Sequence, residues 1–154
     1  MRPCPLLVAS ASWHSTSVPE QTFKLVTLIA AYSGMRLGEI CTLQKEDLQT
    51  VDGISRFLIR PHAETGWSPK TEAGTRMVPV HPKLIEAGVL ALKDATNGPY
   101  LIAGLETSKQ GVRGAALGRA FSLLKTRIGL PAEITFHSFR HTVSTQLRNA
   151  DAKI

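Results

Sequence analysis

A chain of 154 residues, 43% of them hydrophobic, suits a single domain with a proper buried core, and no apolar run approaches the ~20 residues of a transmembrane helix. Two cysteines, Cys4 and Cys41, exclude a disulfide framework and offer no metal-ligand spacing. Eighteen basic against twelve acidic residues give a formal charge of +6, a balance that attracts polyanions and agrees with nucleic acid without establishing it.

Residues 1–17 read as an irregular leader. Leu6, Leu7 and Val8 give a faint signal-peptide look, but that apolar core is short and follows Pro3 and Pro5. Pro19 and Glu20 then open a helix to about Ser33, with Gly34 as its C′ residue. Phe23, Val26, Ile29 and Ala30 help make it apolar nearly all round, as in a central buried helix. A second helix begins near Arg36, where Glu39, Ile40 and Leu43 fall at i+3, i+4 and i+7. Cys41 within it reads as a reduced, buried thiol of a cytoplasmic protein. Strands are expected over Leu48–Val51 and Ile54–Arg60, joined by the Asp52-Gly53 hairpin signal, and over Arg76–Val80, where Pro79 implies an edge position. Residues 61–75, with Pro61, Gly66, Pro69 and Gly74, form a long flexible turn. Pro82 opens a short helix to about Leu92, and Asn97-Gly98-Pro99 breaks the chain. A further helix runs from Ala115 to about Ile128, its inner stripe being Leu117, Phe121, Leu124 and Ile128. Thr135 caps the last helix, whose Phe139, Val143 and Leu147 face the core. These elements add up to an α+β domain, mainly helical, with one small three-stranded antiparallel sheet.

Chemistry concentrates in three segments. Ser33-Gly34-Met35-Arg36-Leu37-Gly38-Glu39-Ile40 and His137-Ser138-Phe139-Arg140-His141-Thr142 each set an arginine near a helix start, where free N–H groups and the positive dipole end already favour an anion. Two such arginines could clamp one phosphate, and His137, three residues before Arg140, shares its helical face. Between them, Ser68-Pro69-Lys70-Thr71-Glu72-Ala73-Gly74-Thr75-Arg76-Met77-Val78-Pro79-Val80 places a lysine on the loop before a strand. Taken singly, each arginine is an ordinary solvated charge and Lys70 an ordinary surface lysine; the ordered set of Arg, Lys, His and Arg is what points to phosphodiester chemistry.

In that ordered set, from about Val18 to the end, the chain resembles the catalytic domain of tyrosine recombinases, the phage integrase family. The resemblance implies site-specific DNA strand exchange through a covalent 3′-phosphotyrosine, without metal or nucleotide cofactor. It makes Arg36 and Arg140 the arginines that hold the scissile phosphate, and Lys70 the acid for the leaving 5′ oxygen. His137 becomes the general acid/base and Glu39 the carboxylate that braces Arg36. Guanidinium pairs can neutralise charge growing on a phosphorane unaided by an ion. The lack of clustered carboxylates agrees, since Glu46 and Asp47 are adjacent and would diverge on a helix. Arg76, Lys109, Arg113 and Arg119 are candidates for contacts to the DNA backbone, although basic residues on a helix equally serve solubility. The implied partners are double-stranded DNA and, for the full-length protein on DNA, further copies of itself.

One departure from the family is plain. Members carry the attacking tyrosine beyond the second arginine, whereas the 14 residues after Arg140 contain none, and the only tyrosines are Tyr32 and Tyr100. Tyr32 lies in the apolar first helix and reads as core; Tyr100 follows a turn and reads as a packing anchor. Residues 18–154 therefore read as a recombinase catalytic domain cut short before its nucleophile. The alternatives are a non-catalytic DNA-binding integrase remnant, an enzyme that takes its tyrosine from a neighbouring protomer, and a tyrosine-independent phosphodiesterase.

Overall fold

The computed structural model describes residues 17–150, so the expected leader and Cys4 lie outside the described residues. Helix α1 spans Glu20–Ser33, with Pro19 at its N-cap. Phe23, Val26, Ile29 and Ala30 are buried along it. Gly34 ends the helix in the left-handed region, φ 65°, and its N–H bonds to the Ala30 carbonyl. A residue with a side chain is strained at that φ, which is why glycine closes this helix. Two residues later the short helix α2, Leu37–Thr42, begins with Arg36 as N-cap.

Strands β1 (Leu48–Val51), β2 (Ile54–Ile59) and β3 (Arg76–Pro79) form an antiparallel sheet in the order β1-β2-β3. Asp52 and Gly53 both take positive φ, as the tight hairpin turn between β1 and β2 requires. Leu48 stands opposite Phe57, Phe57 opposite Val78, and Ile59 opposite Arg76. By the two-residue alternation of strands, the face that carries Leu48, Phe57 and Ile59 into the core also carries Arg76. Pro79 is tolerated because β3 is an edge strand.

Residues 61–75 are more organised than a long flexible turn. The His62 N–H donates to the Trp67 carbonyl at 2.8 Å, closing one turn, and a 3-10 turn at Glu72–Gly74 forms another. Asp47, fully buried, holds the base of this loop. Its Oδ1 accepts from Arg60 Nε at 2.7 Å, and its Oδ2 accepts from the Gln44 N–H and from His62 Nε2, both at 2.8 Å. Multiple hydrogen bonds of this kind satisfy a buried carboxyl group and fix what it touches.

Beyond the sheet, the single helix expected from Pro82 to Leu92 is interrupted. Helix α3 covers Pro82–Glu86, Gly88 turns the chain at φ 82°, a 3-10 turn covers Val89–Ala91, and α4 covers Leu92–Ala95. Helix α5 runs Ala115–Arg127, burying Leu117, Ala120 and Phe121, and α6 runs Ser138–Asn149. Thr135 does not cap α6. His137 holds the N-cap position in helical conformation, and the Thr135 N–H donates to Ser138 Oγ at 3.0 Å, so the chain is already turning before the helix begins. Leu147, expected in the core, is 46% exposed because only the first half of α6 lies against the body of the domain.

That first half docks where α1 ends. A Cβ placed on Gly34 would lie 3.0 Å from Val143 Cβ, so the two backbones approach as closely as they do only because residue 34 lacks a side chain. We expect Gly34→Ala to lower the unfolding free energy by roughly 1–3 kcal/mol, from the positive φ and the contact with Val143 together. Urea melts of the two proteins provide the check.

Candidate active site

A buried carboxylate organises the basic cluster. Glu39, 3% exposed, sits in the first turn of α2, and its Oε2 accepts from the Arg36 backbone N–H at 2.8 Å. An acidic side chain three residues after an N-cap is favoured there because it satisfies a free donor and opposes the helix dipole. Its Oε1 also accepts from Arg36 Nη1 at 3.0 Å. From the sheet, Arg76 approaches the same carboxylate with both terminal nitrogens, Nη1 to Oε1 at 3.0 Å and Nη2 to Oε2 at 2.8 Å. Burial by itself would raise the Glu39 pKa. The Arg76 side chain, the Arg36 N–H and the Arg36 guanidinium outweigh it and hold the carboxyl below its ordinary value.

Arg140 arrives from the other end of the sequence. Its Nη1 donates to the Gly34 carbonyl at 3.1 Å, two residues before Arg36. Partial burial pulls its pKa down, repulsion from Arg36 and Arg76 pulls it further, and Glu39 opposes both. His137 stands exposed at the start of α6, its ring edge-on to His141 with centroids 4.9 Å apart. Partial burial, then His141, Arg140 and Arg36, lower its pKa from 6.5, with Glu39 in opposition. A neutral imidazole at neutral pH follows, able to take up or hand on a proton. Arg36, Arg140, His137 and Glu39 are thus gathered at one place.

Lys70 is exposed and makes no hydrogen bond or ion pair among the described residues. Its loop is tied to the cluster all the same, because Arg76 Nη1 also donates to the Gly74 carbonyl at 3.0 Å and Gly74 packs on Pro69. The structure sorts the other basic candidates. Lys109 and Arg119 are exposed. Arg113, expected on the DNA-facing surface, turns inward instead. Its Nε and Nη2 donate at 2.9 Å to the Cys41 and Ile102 carbonyls, its Nη1 reaches the Leu105 carbonyl, and its guanidinium lies 3.8 Å over the Tyr100 ring. Five donors in a planar fork suit this role as a staple of the 102–113 segment, with three of them spent on backbone carbonyls. Arg76 is likewise committed to a carboxylate rather than to solvent.

The chain as a whole is similar to known proteins. The sequence profile described as the phage integrase family matches residues 6–154. The chain belongs to the phage integrase family. Three solved structures are similar to this integrase-family chain. The Tn1549 transposon integrase in complex with circular intermediate DNA superposes with a TM-score of 0.58 at 25% identity, over 86% of this chain and 49% of that one. The same integrase in complex with transposon right end DNA gives 0.58 at 27% identity, over 84% and 47%. XerA recombinase gives 0.50 at 21% identity, over 91% and 53%, a likeness of fold. The integrase-family chain spans about half the length of each of these. None of the curated proteins matches it in sequence.

Sequence reasoning missed the link between Glu39 and Arg76. They lie 37 residues apart, on a helix and a strand, so no local spacing signals the pair. The set that buried Asp47 and His62 form with Arg60 was missed for the same reason, since the β1–β2 hairpin separates its members.

The Glu39 carboxyl titrates lower in the folded chain than its ordinary value of 4.5. Its contribution to stability is therefore present above pH 4.5 and is lost as pH falls through the folded value. Glu39→Gln should destabilise the domain by roughly 1–3 kcal/mol at neutral pH, discounted for the half-exposed arginines. The gap to the wild type should narrow as the pH is taken below 4.5, measured by urea midpoints across that range.

Proposed function

We propose that this chain is the phosphate-binding core of a site-specific DNA recombinase. The observation that carries the reading is the meeting of Arg36, Arg140 and His137 around one buried carboxylate, from segments about a hundred residues apart in sequence. DNA as the substrate is supported by the DNA complexes of the Tn1549 transposon integrase, to which the chain is similar.

In this reading Arg36 and Arg140 hold the non-bridging oxygens of the scissile phosphodiester and stabilise the charge that grows in the pentavalent transition state. Arg36 is fixed by Glu39 and Arg140 by the Gly34 carbonyl, so both are set before substrate arrives. A tyrosine oxygen attacks phosphorus, the bond from phosphorus to the 5′ oxygen breaks, and Lys70 delivers a proton to that oxygen. Neutral His137 accepts the tyrosine proton or returns it in the reverse step. Double-stranded DNA and further copies of the protein assembled on it are the partners.

In this reading neither Tyr32 nor Tyr100 is the attacking tyrosine. Tyr32 stacks on His81 with ring centroids 4.7 Å apart, and Tyr100 lies under the Arg113 guanidinium, so both rings are occupied by packing. That occupancy favours binding without cleavage by this chain alone, the behaviour of a DNA-binding remnant, unless a partner or further sequence supplies the nucleophile.

The chain should bind duplex DNA weakly, with little sequence preference and strong salt dependence, because its contacts are to phosphates. Arg140→Ala should weaken binding and reduce the slope of log affinity against log salt by about 1, with little loss of stability. Anisotropy titrations over a tenfold range of salt test this, and an affinity indifferent to salt defeats the reading. On a nicked suicide duplex we expect no protein–DNA adduct that survives denaturation; such a band would direct attention to Tyr32→Phe and Tyr100→Phe.

A further inference from the structure

Arg76 is the one guanidinium of the cluster whose fork is spent on Glu39. Its two terminal nitrogens span both carboxylate oxygens at 3.0 and 2.8 Å, whereas Arg36 meets only Oε1 with its side chain. The Arg36 side chain is 38% exposed and that of Arg76 26%, against 3% for Glu39. Glu39 is thus faced by Arg36 at the start of α2 and by Arg76 from β3, with Arg140 and His137 of α6 beyond them. A single carboxylate cannot give its full charge to two partners, and the bidentate one takes the larger share.

Resting on the phosphate-site reading above, we propose that Arg76 is a positioning residue of that site: it occupies the Glu39 carboxylate and so leaves the Arg36 guanidinium free to hold a phosphate. Without Arg76, Glu39 would draw Arg36 into a bidentate pair, and the charge of that guanidinium would be spent on the carboxylate instead of the phosphate. With it, three guanidiniums face one carboxylate, an excess of two positive charges that suits a phosphodiester becoming a phosphorane. The same guanidinium holds the Gly74 carbonyl, so the Lys70 loop is registered to Arg36 through Arg76.

The test is a double-mutant cycle read by binding of a fluorescent DNA duplex of arbitrary sequence. Arg76→Ala should weaken binding roughly tenfold, the scale of one unit charge acting over a few ångströms near a protein surface. In a Glu39→Gln background the same substitution should cost only about twofold, the general loss of one positive charge. Lowering the pH toward the carboxylate range should also restore binding of Arg76→Ala relative to the wild type, because its Glu39, released from Arg76, protonates at higher pH. If the Arg76→Ala effect is equal in both backgrounds, or if Arg76→Ala binds as the wild type does, the proposal is overturned. Thermal melts report folding, and where Arg76→Ala does not fold, Arg76→Gln, neutral but able to hydrogen-bond Glu39, takes its place with the same expected cycle. Arg140→Ala separates the two levels. If it leaves DNA binding intact, the phosphate-site reading fails; if it weakens binding while the cycle shows no coupling, only the role of Arg76 fails.

Discussion

One carboxylate between two guanidiniums is the constraint on which the site depends. Glu39 is buried, and a buried charge persists only when it is paired and hydrogen-bonded. Its three donor groups come from the N-cap of α2 and from the first residue of β3. The carboxylate therefore locks a helix start to a sheet edge. Everything basic in the site is placed relative to that lock, including Arg140, which reaches the carbonyl just before α2 begins.

The fold supplies the rigidity that such a lock needs. α1 ends at a glycine whose missing side chain lets α6 come close, and that contact aims Arg140 and His137 toward Arg36. On the opposite side, the β-register puts Arg76 on the inward face beside Ile59. Shifting β3 by one residue would turn Arg76 outward and leave Glu39 half paired. The buried Asp47 set does similar work at the base of the Lys70 loop, so the loop is anchored at both ends while Lys70 itself stays exposed.

Net charge proves a poor guide to which cations are available. Arg113 caps three carbonyls, Lys125 donates to the Ala132 and Ile134 carbonyls at 2.7 Å, and Lys93 donates to that of Leu48 at 2.7 Å. These side chains tie irregular segments to helices and strands, satisfying backbone acceptors that have no partner in a helix or ladder. The cations left to meet a polyanion are fewer than the sequence total suggests.

The sequence by itself determined the element types, the hairpin and the edge position of β3, and it singled out Arg36, Glu39, His137 and Arg140, which the fold brings together. Those features are written locally, in helix and strand periodicity, in Asp52-Gly53, in Pro79, and in short motifs at helix starts. It misjudged the continuity of the helix after Pro82, the cap of α6 and the burial of Leu147, because these depend on how far each segment lies against its neighbours. Only the tertiary structure decided what each cation does. Arg113 and Arg76 look alike in the sequence, yet one is drawn to backbone carbonyls and the other to Glu39. The physical reason is that a guanidinium goes where a desolvated acceptor is left unpaired, and such acceptors exist only once distant segments have packed.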